Sequence, residues 1–456
     1  MIRQRYFLGI GGIGMSALAR YYKYQGAYVA GYDRTPSNLT AALEQEGIAI
    51  HYDDNVASIP KPILERPQET IVIYTPAVLH DHKEWDYLQQ KGYKITKRSH
   101  ALGEIADSKL CLAVAGTHGK TTTSTLLAHI FAHSGKGCTA FLGGISKNYQ
   151  SNLLLSHTPY LVAEADEFDR SFLQLHPYAA AITSIDADHL DVFGDYTSLT
   201  QAFADFASQI QSGGALVLKE GVKLPQPAII PYACYRYALD QPADFYASDL
   251  ICEEGGYYRF NLHLTHQTIK GCRLGIPGRI NVENAVAASA LAFLNGVLPP
   301  QIADALATFS GVVRRFDIQV NRPESTYIDD YAHHPVELSA ALQSIRYIYP
   351  NRKITAIFQP HLYTRTRDFA DAFGESLSLP DELILLPVYP AREDPIPGVT
   401  SKMLLDKVTL KDKWLITKED LCDFLRGHPT DVLVTLGAGD IDRLVPQIKA
   451  ILEERT

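Results

Sequence analysis

Residues 116–123 have the residue types of a phosphate-binding loop, in the order Gly-Thr-His-Gly-Lys-Thr-Thr-Thr. In such a loop, backbone N–H groups cradle phosphates, Lys120 would reach the β- and γ-phosphates, and the hydroxyl of Thr121 would bind Mg²⁺. The ordinary phosphate loop would place a glycine where this chain has Val114, so this loop is shorter. Because an apolar run precedes the segment and a helical pattern follows it, we predict an ATP site here. The predicted ATP-binding residues of the loop are Gly116, Thr117, His118, Gly119, Lys120, Thr121 and Thr122.

Two further apolar runs lead into acidic and imidazole side chains, the first into Glu164 and the second towards His189. Ligands of open α/β sheets collect at the carboxyl ends of the strands, so we expect both groups to face the same crevice as Lys120. A hard cation that bridges ATP oxygens takes carboxylate, hydroxyl and water ligands, and a neutral imidazole can complete the shell. The predicted metal ligands are therefore Thr121, Glu164 and His189. Two acids follow Glu164 closely, Glu167 and Asp169. For either of them taken singly, a helix cap or a solvated loop position is the simpler explanation.

Another glycine-rich turn, the first glycine turn along the chain, occupies residues 9–14 in the order Gly-Ile-Gly-Gly-Ile-Gly. It lies between a predicted strand and a predicted helix. Asp33 follows Gly14 by nineteen residues, at the end of the next predicted strand. In this layout the glycines let the backbone approach a diphosphate at a helix N-terminus, and the acid meets a ribose hydroxyl. We predict a site for a diphosphate attached to a nucleoside, of which a nicotinamide cofactor is only one example. The alternative is a turn whose glycines serve only tight packing of strand against helix.

Polar groups also follow two predicted strands in the last third of the chain. The first strand leads into Asp-Asp-Tyr-Ala-His-His-Pro at residues 329–335, and the next into Gln-Pro-His-Leu-Tyr-Thr-Arg-Thr-Arg at residues 359–367. Arg365 and Arg367 could neutralise developing phosphoryl or carboxylate charge. The placement at strand ends indicates function, whereas a histidine or arginine pair taken alone is more often structural.

The elements that must position these residues alternate between short apolar or β-branched runs and longer amphipathic stretches, which predicts an α/β fold of parallel sheets covered by helices. At roughly 150 residues per domain, 456 residues indicate three domains. The pattern resets near Asp107 and ends its middle region near Ser310 to Arg315, and residues 213–273 suggest inserted antiparallel strands. The predicted strands lie at 5–10, 28–32, 70–74, 109–116, 160–163, 179–185, 326–328, 353–358, 382–387 and 431–436, and the predicted helices at 15–25, 281–294, 336–347 and 365–376.

Composition and charge exclude several classes of protein. With 46% hydrophobic and 20% charged residues, the chain matches a folded globular protein rather than a disordered or collagen-like one. A net charge of −9 without a run of lysine and arginine argues against nonspecific nucleic-acid binding. The six cysteines form no Cys-x-x-Cys pair, which indicates reduced thiols. No apolar run approaches the roughly 20 residues needed to cross a bilayer, so we expect a cytoplasmic protein.

Taken together, these motifs resemble those of the Mur ligases, ATP-dependent enzymes that form amide bonds in peptidoglycan synthesis. The resemblance spans residues 9 to 440 and therefore nearly the whole chain. The segments that carry it are Gly116-Thr-His-Gly-Lys-Thr-Thr-Thr, Glu164-Ala-Asp-Glu, Asp188-His-Leu-Asp, Pro277-Gly-Arg-Ile-Asn-Val-Glu-Asn-Ala, Arg314-Arg-Phe-Asp, Asp329-Asp-Tyr-Ala-His-His-Pro and Gln359-Pro-His.

The resemblance implies three domains with distinct tasks. Residues 1–107 would form a Rossmann-like domain that holds the UDP part of the substrate. Residues 108–313 would form a central ATP-binding domain of phosphate-loop type with a mostly parallel sheet. Residues 314–456 would form a second Rossmann-like domain that closes over the active site.

The family motifs also imply roles for individual side chains. For the UDP-containing substrate, the implied binding residues are Gly9, Gly11, Gly12, Gly14, Asp33 and Thr75. Beyond the loop residues, the implied ATP contacts are Asn281 and Asn284 at the adenine, together with Arg315. The residues implied at the closed interface with phosphate or amino acid are Arg315, Asp330, Tyr331, His333 and Arg365.

Within the family, the start of the chain and the Asp-Asp-Tyr-x-His-His-Pro motif resemble the member whose substrates are UDP-N-acetylmuramate, L-alanine and ATP. The implied reaction begins when the muramate carboxylate attacks the γ-phosphate, and the alanine amine then displaces phosphate from the acyl phosphate. The catalytic residues expected are Lys120, His333 as the base for the ammonium group, Arg365 and Asp330. ATP and Mg²⁺ are the expected cofactors, no nucleic acid or membrane partner is expected, and the protein would be a monomer or homodimer.

The chain departs from the family pattern at three places. Several Mur ligases place a carbamylated lysine shortly after the Asp-His-x-Asp motif to support a second Mg²⁺, yet no lysine occurs between Asp191 and Lys219. Ile280 stands where relatives often have histidine, and Leu362 stands where many have arginine.

Three alternatives stay open on the sequence alone. A nicotinamide-dependent oxidoreductase would explain the first glycine turn and Asp33 but leaves Gly-Lys-Thr without a purpose. A phosphate-loop switch or motor that binds a protein partner would explain residues 116–191 but not a separate diphosphate-binding turn. A related recycling ligase, which attaches a preformed tripeptide to the same sugar nucleotide, is the nearest alternative.

Overall fold

The computed structural model describes residues 3–76, 78, 82–186, 193–225, 230–391 and 393–454. The chain forms two compact units. The first comprises Met1–Glu253, Tyr257–Ile276 and Ile280–Gly311, and the second comprises Glu254–Gly256, Pro277–Arg279 and Val312–Thr456. In the described part of the chain, no helix combines the length and the apolar character that crossing a membrane requires.

The first unit begins with a parallel sheet that has five described strands in the order β3-β2-β1-β4-β5. The strands are β1 Gln4–Leu8, β2 Tyr28–Tyr32, β3 Ala49–His51, β4 Thr70–Tyr74 and β5 Lys94–Lys97. Helices cover the sheet: α1 Ile13–Tyr24, α2 Asn38–Gln45, α3 Lys61–Glu65, α4 Lys83–Gln90 and α5 Arg98–Ala106. Alternating side chains of β1 enter different cores, Phe7 on one face and Tyr6 on the other, as expected for a sheet covered on both sides.

A second sheet in the first unit has ten described strands in the order β15-β14-β13-β12-β11-β10-β6-β9-β7-β8. The strands are β6 Leu110–Ala115, β7 Thr139–Ser146, β8 Ser151–Leu154, β9 Tyr160–Glu164, β10 Ala179–Ile182, β11 Ala215–Lys219, β12 Ala233–Leu239, β13 Phe245–Cys252, β14 Tyr258–Leu264 and β15 Gln267–Arg273. Its helices are α6 Lys120–His133, α7 Tyr196–Ser208, α8 Arg279–Leu294 and α9 Pro299–Thr308. The expectation of antiparallel strands in residues 213–273 holds for β13, β14 and β15, whereas β11, β12 and β13 pair in parallel.

The second unit contains a sheet of six described strands in the order β16-β17-β21-β18-β19-β20. Only β16 runs antiparallel to its neighbour within this described sheet. The strands are β16 Asp317–Asn321, β17 Thr326–Asp330, β18 Ile354–Phe358, β19 Glu382–Leu385, β20 Lys413–Leu415 and β21 Val432–Leu436. The helices are α10 Pro335–Ile348, α11 Tyr363–Asp368, α12 Ala370–Ser376, α13 Ser401–Lys407, α14 Lys418–Gly427 and α15 Val445–Glu454.

The prediction of a single helix at residues 365–376 is wrong, because the segment divides at Phe369 into α11 and α12. Phe369 leaves the helical conformation with φ −112° and ψ 22°, and its ring meets the ring of His334 edge-on at 4.6 Å between centroids. Short 3-10 turns complete the described elements, at Val56–Ser58, Pro67–Glu69, Phe168–Gln174, Glu254–Gly256 and Asp440–Leu444.

A glycine inside α5 lets this helix approach the 3-10 turn that follows β9. A Cβ atom on Gly103 would lie 2.3 Å from the backbone oxygen of Gln174. Because that neighbour is backbone, it cannot move aside as the end of a flexible side chain could. The contact therefore requires glycine in the middle of a helix, where glycine is otherwise unfavourable by about 1 kcal/mol relative to alanine.

We expect Gly103→Ala to lower the free energy of unfolding by about 1–3 kcal/mol, the usual range for overpacking, despite the better helix propensity of alanine. The matched control is Gly427→Ala at the end of α14, where an added Cβ would meet nothing within 4 Å. Urea unfolding of both variants measures the difference. A midpoint for Gly103→Ala equal to or above that of the unsubstituted protein would contradict the proposed contact.

A buried carboxyl group on α4, which packs against the first sheet, has its pKa raised by its surroundings. The hydroxyl of Tyr6 donates to Oε2 of Glu84 at 2.5 Å and also lies 2.8 Å from Nε2 of His51. The Glu84 side chain is fully buried. Burial raises the pKa of Glu84 to about 7, although the hydrogen bond from Tyr6 opposes this shift.

Because its folded pKa lies above its ordinary value, Glu84 binds its proton more tightly in the folded protein than in the unfolded chain. Its contribution to stability is therefore complete at acidic pH and is lost as the pH rises towards and through about 7. We expect the free energy of unfolding to fall between pH 5 and pH 8 by on the order of 2–3 kcal/mol more in the unsubstituted protein than in Glu84→Gln. Urea unfolding at the two pH values measures this, and equal slopes for both proteins would contradict it.

Candidate active site

The turn after β6 takes backbone conformations that require glycine. Gly116 has φ 136° and Gly119 has φ 79°, and α6 begins at Lys120 directly after Gly119. A Cβ atom on Gly116 would lie 2.1 Å from Oγ1 of Thr183, and one on Gly119 would lie 2.6 Å from Oδ1 of Asn284. The turn therefore lies directly against the end of β10 and against α8, between a strand and a helix as the sequence predicted.

The hydroxyl groups of Thr183 and Ser184, which follow β10, form hydrogen bonds with the backbone of this turn. Sequence reasoning missed both residues. Oγ1 of Thr183 donates to the carbonyl oxygen of His118 at 2.5 Å. The backbone N–H of His118 donates to Oγ of Ser184 at 2.9 Å, and the backbone N–H of Thr117 donates to the Ser184 carbonyl at 3.1 Å. The sequence did offer a signal for Thr183 and Ser184, because both residues lie at the end of a predicted buried strand and precede the acidic motif that begins at Asp186.

The ammonium group of Lys120 lies inside the turn and pairs with a buried carboxylate. Nζ of Lys120 donates to the carbonyl oxygen of Gly116 at 2.6 Å and lies 2.9 and 2.8 Å from the two carboxylate oxygens of Glu167. The Glu167 side chain is fully buried, so its explanation as a cap or solvated loop residue is wrong. Asp169, in contrast, is partly exposed and pairs with Lys97 at 3.2 Å.

The side chains of Thr121 and Glu164 form an oxygen-donor pair. Oγ1 of Thr121 donates to Oε1 of Glu164 at 3.2 Å. Gly143 on β7 makes room for this carboxylate, because a Cβ atom there would lie 2.1 to 2.5 Å from its carbon and both oxygens. A hydroxyl and a carboxylate are donors that suit Mg²⁺, so these residues fit that metal.

His189, the third predicted metal ligand, lies outside the described residues, as do Asp188 and Asp191 of the same motif. In the described part of the chain, no cluster of three or more His, Cys, Asp or Glu side chains could by itself hold a metal ion. The metal assignment of Thr121 and Glu164 therefore stays a prediction.

The asparagines of α8 lie next to the phosphate-type turn. Nδ2 of Asn284 donates to Oδ1 of Asn281 at 3.2 Å, and both residues are buried. Because Oδ1 of Asn284 also lies against Gly119, these side chains adjoin the start of α6. Their predicted contact with an adenine is not tested by this geometry.

The first glycine turn connects β1 to α1 and has Asp33 folded against it. Gly9 has φ 84°, and its hypothetical Cβ would lie 2.6 Å from Cγ2 of Thr75. The backbone N–H of Gly11 donates to Oδ2 of Asp33 at 2.7 Å, and Gly12 is the residue before the first turn of α1. Glycine turn, acid and threonine thus lie together at the carboxyl ends of β1, β2 and β4.

Arg98, which sequence reasoning missed, lies between the glycine turn at residues 9–14 and the acidic segment that follows β9. It is the first residue of α5, at the carboxyl end of β5. Its Nη1 lies 2.9 Å from the position of a Cβ on Gly14, and its Nη2 lies 3.9 Å from Oδ2 of Asp166. The sequence did offer a signal for Arg98, namely a positively charged side chain directly after a strand. The residues predicted to line this edge of the first sheet were glycines, Asp33 and Thr75, none of which is positively charged.

In the second unit, a buried carboxylate shapes the loop after β17. Oδ2 of Asp330 accepts the backbone N–H of Phe316 at 2.7 Å, and Oδ1 accepts that of Ala332 at 2.8 Å. Burial raises the pKa of Asp330, and Arg315 opposes that shift. The guanidinium of Arg315, which precedes β16, lies 5.1 Å from the ring centroid of Tyr331 and therefore adjoins the loop after β17.

His333 and Arg365 lie close together within the second unit. Burial lowers the pKa of His333, and although Glu337 opposes this, Arg365 lowers it further. Nδ1 of His333 lies 3.0 Å from the carbonyl oxygen of Tyr331. Among the described residues, the buried Nη1 of Arg365 has no hydrogen-bond partner. The predicted residues of the second unit therefore cluster, with a neutral imidazole beside an uncommitted guanidinium donor.

Comparison with known protein families gives three successive matches along the chain. The descriptions are "Mur ligase family, catalytic domain" at residues 4–110, "Mur ligase middle domain" at residues 114–292 and "Mur ligase, glutamate ligase domain" at residues 314–439. The three-domain α/β architecture expected from the sequence is confirmed, whereas the boundaries at 107/108 and 313/314 stay a prediction.

Individual proteins are similar over the full length. The UDP-N-acetylmuramate–L-alanine ligase of Porphyromonas gingivalis is 50% identical over 455 residues, which covers 99% of each chain. The crystal structure of the UDP-N-acetylmuramate–alanine ligase of Thermotoga maritima matches with a TM-score of 0.83 at 28% identity, covering 99% of this chain and 100% of that one. A murein peptide ligase of Psychrobacter arcticus matches in fold with a TM-score of 0.72 at 23% identity, covering 98% of each chain.

We expect Gly143→Ala to weaken Mg²⁺-dependent nucleotide binding about ten-fold, because the new methyl group would displace the Glu164 carboxylate from Thr121. Calorimetric titration of ADP at a series of Mg²⁺ concentrations measures the effect, and the same titration without Mg²⁺ should show little change. Gly427→Ala serves again as the control at an open position. An unchanged Mg²⁺ dependence in Gly143→Ala would contradict a metal at Glu164.

Proposed function

Because the chain belongs to the Mur ligase family, we propose that it joins L-alanine to the carboxylate of UDP-N-acetylmuramate at the expense of ATP, in the synthesis of peptidoglycan precursors. The observation that carries this proposal is the pairing of two glycine turns in one unit. One turn has the lysine and the Thr121–Glu164 donor pair of a phosphoryl-transfer site. The other has the acid and helix N-terminus suited to a nucleoside diphosphate.

On the ATP side, we propose that the turn at residues 116–122 holds the phosphates. Lys120 would contact the β- and γ-phosphates, and Asn281 and Asn284 would contact the adenine. Thr121 and Glu164 would hold Mg²⁺ together with His189, which lies outside the described residues. The bound metal would offset charge on the transferring phosphoryl group.

On the sugar-nucleotide side, we propose that the N-terminus of α1 receives the diphosphate of UDP. Backbone N–H groups at a helix N-terminus favour anions, and the glycines allow close approach. The remaining contacts proposed there are Gly9, Gly11, Gly12, Gly14, Asp33 and Thr75. The Asp33 carboxylate already accepts the N–H of Gly11, so a ribose hydroxyl would use its remaining lone pairs.

The proposed chemistry is two successive displacements. The muramate carboxylate attacks the γ-phosphorus, the bond to the β-phosphate oxygen breaks, and ADP leaves. The alanine amine then adds to the carbonyl carbon of the acyl phosphate, and the tetrahedral intermediate expels inorganic phosphate to leave the amide. Lys120 stabilises the negative charge of the transferring group throughout the first step.

Residues of the second unit are proposed for the amine step. Alanine must lose a proton to become a nucleophile, and His333, with its lowered pKa, is neutral at pH 7 and able to accept one. Arg365 offers a buried donor for the departing phosphate. Asp330 acts as a positioning residue, since both of its carboxylate oxygens hold backbone N–H groups around the loop. Arg315, which precedes β16 and lies against Tyr331, completes the proposed phosphate contacts.

Further proposals concern organisation and location. We place domain boundaries at 107/108 and 313/314. All six cysteines are unpaired thiols, which is typical of a reducing compartment, and we propose the cytoplasm. A monomer or homodimer that acts on small-molecule substrates completes the proposal.

The deciding experiment measures ADP release with UDP-N-acetylmuramate plus either L-alanine or a preformed tripeptide. We expect ADP release with alanine and none above background with tripeptide. Lys120→Ala should abolish ADP release while UDP-N-acetylmuramate still binds, because the lysine serves only the phosphoryl step. Turnover with tripeptide alone would support the recycling ligase instead, and normal turnover in Lys120→Ala would contradict the role of the loop.

A further inference from the structure

The N–H donors of the Lys120 ammonium group all have acceptors within the protein. An ammonium has three N–H donors. Its acceptors are the carbonyl oxygen of Gly116 at 2.6 Å, the carboxylate of Glu167 at 2.8 and 2.9 Å, and the carbonyl oxygen of Thr117 at 3.4 Å. A phosphate oxygen that binds this ammonium must therefore displace one of these acceptors.

Glu167 is placed to be more than a surface counter-ion. Its side chain is fully buried and that of Lys120 is 12% exposed. Burial by itself lowers the pKa of Lys120, but Glu167, Asp166 and Glu164 more than offset it, so the pKa is raised and the lysine stays charged. An ion pair shielded in this way is screened little by salt and holds its geometry.

The backbone around Glu167 is held in a tight turn by local hydrogen bonds. The carbonyl oxygen of Glu167 accepts the N–H of Arg170, whose positive φ of 53° belongs to the tight turn that follows. The neighbouring side chain of Asp166 accepts the N–H of Phe168 at 3.2 Å. This turn and the burial of the side chain place the carboxylate of Glu167 against the ammonium of Lys120.

We propose that Glu167 is a positioning residue that holds the ammonium of Lys120 within the turn and competes with the nucleotide phosphates for it. The inference rests on the proposed binding of nucleotide at this turn. Each phosphate that approaches meets a buried negative charge and an ammonium already engaged with that charge. Nucleotide affinity is therefore set below what the loop and lysine alone would give.

The test is the affinity for ADP in the presence of Mg²⁺, measured by calorimetry on the full-length Glu167→Gln protein. The amide keeps the size of the side chain and removes its charge. We expect binding about ten-fold tighter than in the unsubstituted protein, comparable with the worth of one charge-assisted hydrogen bond. A merely structural role predicts weaker or unchanged binding, so a gain in affinity is diagnostic.

The matched control is Asp166→Asn, which removes the same charge one residue away without removing an acceptor of Lys120. We expect its ADP affinity to change less than two-fold. Glu167→Asp, which retracts the carboxylate by one methylene, should lie between the unsubstituted protein and Glu167→Gln and provides a measurable variant if the latter unfolds. Unchanged or weaker binding in Glu167→Gln, or an equal gain in Asp166→Asn, would overturn the proposal.

The same titrations separate this inference from the proposed function. If the unsubstituted protein binds ADP and Lys120→Ala binds it weakly, the nucleotide site stands whatever Glu167→Gln does. If the unsubstituted protein does not bind ADP at all, the proposed function fails first.

Discussion

A positive charge withdrawn from water is the constraint on which the middle sheet depends. Lys120 begins a helix whose preceding turn is closed by glycines, and its ammonium lies within that turn. A charge in such a place must be neutralised and hydrogen-bonded, or the fold loses several kcal/mol. Carboxylates after β9 meet this requirement, which explains why an acidic segment and a lysine-bearing turn occupy adjacent strand ends.

Close approach of backbone segments is the second constraint. Parallel strands bring their carboxyl ends to one edge of a sheet, but side chains there can converge only where the backbone leaves room. Gly116 and Gly119 provide that room beside β10 and α8, and Gly143 provides it for the Glu164 carboxylate. The glycines therefore determine which polar groups can meet, and the polar groups determine the chemistry.

Much of the fold follows from sequence patterns that are local. The strands at 28–32 and 70–74 begin and end where the apolar runs predict, because both are bounded by polar or turn-forming residues. Strands β7 and β8 escaped prediction, since Gly143 and its neighbours in β7 weaken the strand signal while serving the contact with Glu164. The division at Phe369 also has no local signal, because the ring of Phe369 turns towards His334 from another element.

The residues of the candidate site likewise divide into those that the sequence identifies and those that it does not. Residue type and spacing alone identify the glycine turns, Lys120 and Glu164 as candidate site residues. They do not identify Glu167 and Arg98, because the importance of these two residues arises from partners far away in the chain. Burial is what separates Glu167 from Asp169, and a sequence does not state which of two nearby acids is covered.

Arg98 links the residue type at position 14 to the acidic segment that follows β9. Its Nη1 lies 2.9 Å from the position that a Cβ atom on Gly14 would take, and its Nη2 lies 3.9 Å from Oδ2 of Asp166. A side chain at position 14 would clash with the guanidinium and force Arg98 to move, which would weaken its attraction to the Asp166 carboxylate. An exchange of the first sheet for that of another protein would therefore have to keep Gly14 and Arg98 together for Asp166 to retain this guanidinium as a neighbour.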